Sequence, residues 1–197
     1  MIASYVNLIG RIETQIRTFR IAWMFRIINQ RHAATPLNAI PSPSRFSDPT
    51  GNYAVLYGAE TVPCCLWEVV VRNRLTRRLP RVIPRSGITS RLVVSFQSQR
   101  DLNLVDLRGD GSIRIGAPPD VVHDSNHLEG RSLSADVYAH LPDADGFLYH
   151  SRFTGHWCCA IFDRAFDKLD TLAVRPLTQH ADFWNALNDY DITLTIP

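Results

Sequence analysis

The sequence predicts an α+β fold, a compact single domain with a mixed β core and peripheral helices. Strand-like and helix-like segments mix along the chain without the regular strand–helix alternation of a doubly wound parallel sheet. A length of 197 residues suits one domain with a short extension. A composition of 45% hydrophobic and 20% charged residues suits a globule that buries a real core. These observations favour one α+β domain.

The N-terminal segment has apolar residues at three- and four-residue steps, which predicts an amphipathic helix. Its apolar positions are Val6, Ile9, Ile12, Ile16, Phe19 and Trp23. We expect residues 1–21 to form a helical extension and residues 22–197 to form the main domain. Residues 23–28 are strand-like and carry Arg26. The following loop, 29–52, is long for a compact domain, which indicates a function, and Arg45 within it predicts that the loop faces a ligand.

One carboxylate stands out in the next strand and helix. Residues 53–59 (YAVLYGA) predict a strand, and Thr61 followed by Pro63 is typical of a helix start. The helix continues as CCLWEVVV, which is apolar on every side except at Glu68. A carboxylate in such a run needs a partner, so Glu68 is either half of a structural ion pair with an arginine or a site carboxylate. A strand, a short turn and a helix would bring Arg45, Tyr57 and Glu68 together, which favours the site carboxylate.

The rest of the chain supplies further strands and two helices. Residues 109–116 (GDGSIRIG) predict a turn, because their glycines lack the spacing of a dinucleotide-binding fingerprint. The predicted strands are 91–97, 102–107, 147–152, 158–162, 172–177 and 192–196, and the predicted helices are 132–141 and 181–190.

Charge and hydropathy argue against two classes of partner. The 21 basic and 19 acidic residues nearly cancel to a net charge of +2, so nothing indicates direct binding to nucleic acid. No apolar stretch approaches the length of a membrane span, and charged residues interrupt the N-terminal segment where a signal peptide would be apolar. We therefore expect a cytoplasmic protein with no membrane contact. A run of arginines between Arg72 and Arg85 is either a solvated surface or a docking surface for an acidic partner.

Cysteines and histidines do not predict a metal site. The cysteines form two adjacent pairs in apolar runs, Cys64–Cys65 and Cys158–Cys159, without the two-residue gap of a zinc knuckle. We expect buried thiols that act as small hydrophobes. His123 and His127 flank Asp124 in a polar loop, but no third ligand position is evident, so no metal is expected.

Several segments in a fixed order resemble the RES domain family, which is named for its Arg, Glu and Ser. They are Met24-Phe25-Arg26-Ile27, Arg45 in its Gly/Pro loop, VLYGAE followed by the helix bearing Glu68, and 145–165 (DGFLYHSRFTGHWCCAIFDRA) with Ser151. The resemblance covers about residues 22–180 and departs from the family at Arg45-Phe46-Ser47, where Arg-Trp-Asn is common. It implies a fold similar to ADP-ribosyltransferases and, for 22–197, a RES-like catalytic domain that consumes NAD.

The residue types suit cleavage of the nicotinamide–ribose bond, which builds an oxocarbenium-like centre on the ribose. Glu68 is expected to stabilise that charge, Arg45 and Arg26 to bind the pyrophosphate, and Tyr57, with Phe46 behind it, to stack on nicotinamide. Ser151 is either a strand serine satisfied by the backbone or, by the resemblance, a hydrogen-bond partner of the nucleotide. A Rossmann fingerprint is missing, which favours NAD as a consumed substrate over NAD as a redox cofactor.

The leading hypothesis is a toxin of a type II toxin–antitoxin pair that degrades NAD by phosphorolysis, with inorganic phosphate as co-substrate, or by hydrolysis. One alternative is an ADP-ribosyltransferase that modifies a host protein, and another is a non-catalytic module that binds nucleotides or a protein. The resemblance implies a helix-turn-helix (Xre-like) antitoxin as partner and a toxin homodimer within the complex.

Overall fold

A mixed β-sheet of eight strands forms the centre of the protein, whose computed structural model describes residues 4–48, 50–72, 79–123 and 126–195. The described residues form ten strands, eight of them in this sheet: β1 (Ile16–Phe19), β2 (Met24–Asn29), β3 (Val55–Ala59), β4 (Arg81–Pro84), β5 (Arg91–Ser98), β6 (Leu102–Asp106), β7 (Gly146–His150), β8 (Trp157–Phe162), β9 (Leu169–Pro176) and β10 (Ile192–Thr195). The large sheet has the order β1-β6-β7-β8-β3-β2-β5-β9, and β10 pairs with β4 separately. Neighbours in the large sheet are antiparallel except β6 and β7. This mixed sheet confirms the predicted α+β class.

Helices of one to four turns surround the sheet. They are α1 (Ile9–Glu13), α2 (Val62–Leu66), α3 (Ser86–Thr89), α4 (Gly111–Arg114), α5 (Asp120–His123), α6 (Leu128–His140) and α7 (Ala181–Asp189). A π-helical turn, Trp67–Val71, continues α2, and 3₁₀ turns occur at Val6–Leu8, Gln30–His32, Asp163–Lys168 and Leu177–Gln179. Within the described ranges, no helix has the length and apolar character needed to span a bilayer.

The predicted start of the helix that bears Glu68 is confirmed. The Thr61 side chain accepts a hydrogen bond from the backbone N–H of Cys64, and Pro63 lies in the first turn. A hydroxyl acceptor at this position satisfies one of the free N–H groups of a helix start, and proline has no N–H to leave unpaired. The helix therefore begins just after the strand β3 ends, and its π-helical continuation carries Glu68.

Apolar side chains pack on both faces of the large sheet. The larger cluster lies against α2, α6 and α7 and includes the fully buried rings of Phe46, Phe147 and Phe162. The smaller cluster, on the opposite face, includes Phe96 and Leu56. Gly58 is required on β3, because a Cβ at this position would lie 2.6 Å from the Phe96 ring.

Two secondary-structure predictions are wrong, and one strand was not predicted. The expected helix through Trp23 ends at Glu13, and Ile16–Phe19 forms β1, which pairs with β6. The predicted turn at 109–116 contains the one-turn helix α4, and β4 was not predicted. Because β1 belongs to the large sheet, residues 1–21 are not a purely helical extension, and the domain boundary at residue 21 stays a prediction.

Candidate active site

A cavity of about 480 Å³ opens between β2 and β3. These two strands share a single register pair, Phe25–Ala59. Residues 26–29 of β2 and residues 55 and 57–59 of β3 line the cavity. The volume lies within the range of small-molecule and cofactor sites. The predicted loop also faces the cavity, through residues from Thr35 to Arg45.

The charged groups that line the cavity are almost all cationic. Among the described residues the lining contains one carboxylate, that of Glu68. The described part of the lining also contains five arginines, Arg26, Arg31, Arg45, Arg72 and Arg91. Guanidinium groups bind phosphate oxygens in pairs, so this wall suits a ligand with several phosphate oxygens.

Ser151 holds the carboxylate of Glu68 in place. Its hydroxyl donates a 2.7 Å hydrogen bond to Glu68 Oε1 and accepts one from the Phe153 backbone N–H at 3.2 Å. Ser151 is 3% exposed and lies directly after β7, whereas Glu68 is half-buried in the π-helical turn. Because the serine hydroxyl donates to a carboxylate oxygen, the geometry suits orientation of Glu68.

Tyr57 fixes the loop that carries Arg45. The Tyr57 hydroxyl accepts a 2.8 Å hydrogen bond from the Phe46 N–H, and it lies 3.3 Å from the Ser47 hydroxyl. Burial raises the pKa of Tyr57, so the hydroxyl stays protonated at neutral pH. The phenol ring lines the cavity while its oxygen holds the loop backbone.

Arg45 is half-buried and free of acidic partners. Its Nη1 lies 3.5 Å from the Val121 carbonyl oxygen, and no carboxylate of the described residues lies within 4 Å of it. Burial lowers the pKa of Arg45 below its usual value. A partly buried cation with no ion pair is costly, and an anionic ligand would relieve that cost.

Arg26 has the same character on β2. Its Nη1 donates to the Asn38 carbonyl oxygen at 3.2 Å, and its Nε is buried with no hydrogen-bond partner. Burial lowers the pKa of Arg26 to about 10, so the group remains charged at neutral pH. Buried donors are nearly always satisfied in folded proteins, so the free Nε is an energetic cost of placing this guanidinium beside the cavity.

Comparison with known proteins decides the family. The RES domain family matches residues 24–185. The chain belongs to the RES domain family. A relative from Sinorhizobium fredii, described as "Probable toxin y4kH", is 35% identical over 88 residues, which cover 45% of this chain and 69% of the relative.

A solved structure shares the fold of this RES domain. The crystal structure of the M. tuberculosis MbcT–MbcA toxin–antitoxin complex contains a chain with a TM-score of 0.61 and 13% sequence identity. The match covers 91% of this chain and 96% of that one. At this identity the likeness shows the fold alone.

The structure brings four predicted site residues of the RES domain together and displaces one. Arg26, Arg45, Tyr57 and Glu68 line one cavity, and Ser151 reaches it through Glu68. Phe46, which is expected behind Tyr57, does not line the cavity, and its backbone N–H bonds the Tyr57 hydroxyl. The Phe46 ring is fully buried, stacks on Phe147 at 4.5 Å and meets Tyr149 edge-on at 5.3 Å. It anchors the loop from the core side.

Sequence reasoning missed several lining residues. Arg91 lies opposite Asn29 in the β2–β5 pairing, a relation that the sequence alone does not display. Arg72 lies four residues after Glu68, and that helical spacing could have placed both on one face. Of the predicted basic run, Arg74, Arg77 and Arg78 lie outside the described residues.

The four cysteines are free thiols, buried as predicted. Cys64 and Cys158 place their sulfur atoms 3.7 Å apart, and burial raises the pKa of Cys159 to about 12. Asp124 lies outside the described residues. Among those that are described, no group of three or more His, Cys, Asp or Glu side chains could hold a metal ion.

Proposed function

We propose that this RES-domain protein is the toxin of a toxin–antitoxin pair and that it degrades NAD by cleaving the nicotinamide–ribose bond. The observation that carries the proposal is the carboxylate of Glu68, which Ser151 orients and which is, among the residues that the structure describes, the only carboxylate in a lining with five arginines. The arginines supply positive charges that can bind a pyrophosphate. The carboxylate of Glu68 supplies one negative charge that can stabilise a cationic transition state. The relative described as a probable toxin and the fold shared with a toxin–antitoxin complex support the biological role.

In the proposed reaction, Arg45 and Arg26 hold the pyrophosphate of NAD, because each guanidinium lacks an acidic partner among the described residues. The bond between ribose C1′ and the nicotinamide nitrogen breaks, and its electron pair leaves with nicotinamide, which becomes neutral. Glu68 stabilises the positive charge that develops on the ribose, an effect that is strongest where water is excluded. The acceptor, phosphate or water, then bonds to C1′ and loses a proton to solvent.

The test is NAD consumption by the purified protein, with all products separated. Nicotinamide with ADP-ribose indicates hydrolysis, nicotinamide with a phosphorylated ADP-ribose indicates phosphorolysis, and a labelled protein indicates ADP-ribosyl transfer. Each experiment is run with and without inorganic phosphate. If no nicotinamide is released under any condition, the enzymatic proposal is wrong and the chain is a binding module.

Glu68→Gln is the decisive variant, because it keeps the shape of the side chain and removes the charge. We expect kcat to fall about 100-fold or more, as when a transition-state charge partner is lost. The matched control is Glu60→Gln. Glu60 lies outside the cavity lining, and its carboxylate bonds His156 Nδ1 and the Trp157 N–H, both at 3.2 Å. Equal activity of the two variants would remove Glu68 from the reaction.

The proposed partner is a helix-turn-helix (Xre-like) antitoxin, with the toxin as a homodimer in the complex. An enzyme that consumes NAD would kill its own cell unless it were restrained. Expression of the chain alone should lower cellular NAD and stop growth, and co-expression with the neighbouring gene product should reverse both effects. Growth arrest with constant NAD would indicate a different toxic activity.

A further inference from the structure

Side chains of the helix α6 donate hydrogen bonds to the backbone of the loop that carries Arg45. Arg131 donates from Nε to the Ser44 carbonyl oxygen at 3.0 Å and from Nη2 to the Pro43 carbonyl oxygen at 2.6 Å. One turn further along, the Ser134 hydroxyl donates to the Phe46 carbonyl oxygen at 2.6 Å. The carbonyl groups on both sides of Arg45 are therefore held by one rigid element.

Arg45 also contacts the helix directly, at Gly130. A Cβ built on Gly130 would lie 2.7 Å from the Arg45 carbonyl oxygen and 2.8 Å from Arg45 Cγ. Real Cβ atoms do not approach so closely, and backbone atoms move less easily than the end of a side chain. Glycine at this position therefore lets the loop lie flat against α6, within reach of Arg131.

We infer that Arg131 is a positioning residue that directs Arg45 into the cavity. Arg131 is absent from the cavity lining, so it acts on a ligand through the loop. Its two contacts need the planar, two-armed donor of arginine, since an ammonium group does not reproduce the same fork.

The hydrogen-bond acceptors of Arg131 are uncharged, so the positive charge of its guanidinium is not neutralised. Arg131 bonds carbonyl oxygens, and no carboxylate of the described residues lies within 4 Å of it. Carbonyl groups satisfy the donors without cancelling the charge. Burial first, and then the charges of Arg45 and Arg131, lower the pKa of His127, which also lines the cavity. Arg131 thus orients one cation and adds a second to the same side of the cavity.

The chain contains a matched control for this contact. Arg164 also donates to two carbonyl oxygens near the other end of α6, those of Tyr138 and Pro142, both at 3.1 Å. It lies outside the cavity lining and far along the helix from Arg45. Arg131→Ala and Arg164→Ala therefore each remove a guanidinium clamp on α6, but only the first should disturb Arg45.

The inference rests on the proposed function for its kinetic readout. In Arg131→Ala we expect KM for NAD to rise about tenfold, with kcat within about twofold of the wild type, because charge-assisted hydrogen bonds that orient a binding group are lost. Arg131→Lys should recover only part of the affinity, and Arg164→Ala should leave KM unchanged. The same KM in both alanine variants would overturn the inference while leaving the proposed function intact.

A second readout needs no substrate. The Phe46 N–H, which donates to Tyr57, reports whether the loop is held, so its hydrogen exchange is measured in both variants. We expect faster exchange at Phe46 in Arg131→Ala than in Arg164→Ala. If the wild type consumes no NAD, the proposed function fails, but the hydrogen-exchange measurement still tests the positioning role of Arg131. Equal exchange at Phe46 in the two variants would overturn that role.

Discussion

Ser151 Oγ lies 2.7 Å from Glu68 Oε1, and this hydrogen bond joins the end of β7 to the helix that follows β3. The two residues are 83 positions apart in the chain. The bond fixes the direction of the only carboxylate that lines the cavity among the described residues. A hydroxyl that donates to a carboxylate restricts its rotation and leaves the second oxygen, Oε2, for a ligand.

Removal of this hydroxyl should slow the chemical step. In Ser151→Ala we expect kcat to fall roughly ten- to a hundredfold, since a hydrogen bond to a charged group contributes about 1.5–3 kcal/mol. Steady-state release of nicotinamide measures it. Ser98→Ala is the control, because Ser98 is also 3% exposed and bonds the Ile21 N–H, outside the cavity lining. A kcat for Ser151→Ala that matches this control would contradict the role of the bond.

Arg45 should act through binding and should need its paired donors. Arg45→Ala is expected to raise KM for NAD by about a hundredfold, and Arg45→Lys should recover little of it, because an ammonium cannot make two parallel contacts to phosphate. Arg152→Ala is the control, because it removes one positive charge without removing a group that lines the cavity. The Arg152 guanidinium lies over the Phe153 ring, 4.6 Å from its centroid. An Arg152→Ala effect as large as that of Arg45→Ala would mean that net charge alone matters.

The sequence predicted the local parts of the site well. Thr61 and Pro63 mark the helix start by their own chemistry, and Glu68 stands out because it interrupts an apolar run. A strand followed by a short turn and a helix confines Tyr57 and Glu68 to one neighbourhood. Such features depend on residues close in sequence, which is where pattern reasoning is strongest.

Features that depend on distant pairing could not be predicted. Residues 16–19 continue a helical pattern, yet Ile16 pairs with Val105, and that tertiary contact overrides local periodicity. Phe46 follows Arg45 in a polar loop, which suggested ligand contact. Its burial against Phe147 depends on a strand about 100 residues later, so no local signal separates an anchoring ring from a stacking ring.

The buried guanidinium of Arg26 should lower the stability of the fold, although it should contribute to NAD binding. Its Nε is buried without a partner, and an unsatisfied buried donor lowers the free energy of unfolding. Arg26→Met keeps most of the side-chain volume and removes the charge. We expect the free energy of unfolding to rise by about 1 kcal/mol while NAD consumption falls, measured by urea unfolding and nicotinamide release. Lower stability in this variant would show that the guanidinium is satisfied within the fold.

Asp48 should make the stability of the loop after Arg45 depend on acid pH. Asp48 accepts hydrogen bonds from the Thr50 N–H at 2.8 Å and hydroxyl at 2.7 Å, and from the Asn52 N–H at 2.9 Å. Burial raises the pKa of Asp48, but these hydrogen bonds outweigh it, so the pKa lies below its usual value. A lowered folded-state pKa means that the stabilisation is complete above the unfolded value, about 4, and is lost as the pH falls through the folded value.

The measurement compares thermal unfolding of the wild type and Asp48→Asn across the pH range. Well above pH 4 the wild type should have the higher Tm by a constant margin, because asparagine carries no charge for these donors. Below about pH 4 the margin should shrink, since protonated Asp48 resembles asparagine. Asp101→Asn, at a side chain that is 61% exposed, is the control and should show little margin at any pH. A margin for Asp48→Asn that stays constant down to pH 2 would mean that the charge of Asp48 does not hold the loop.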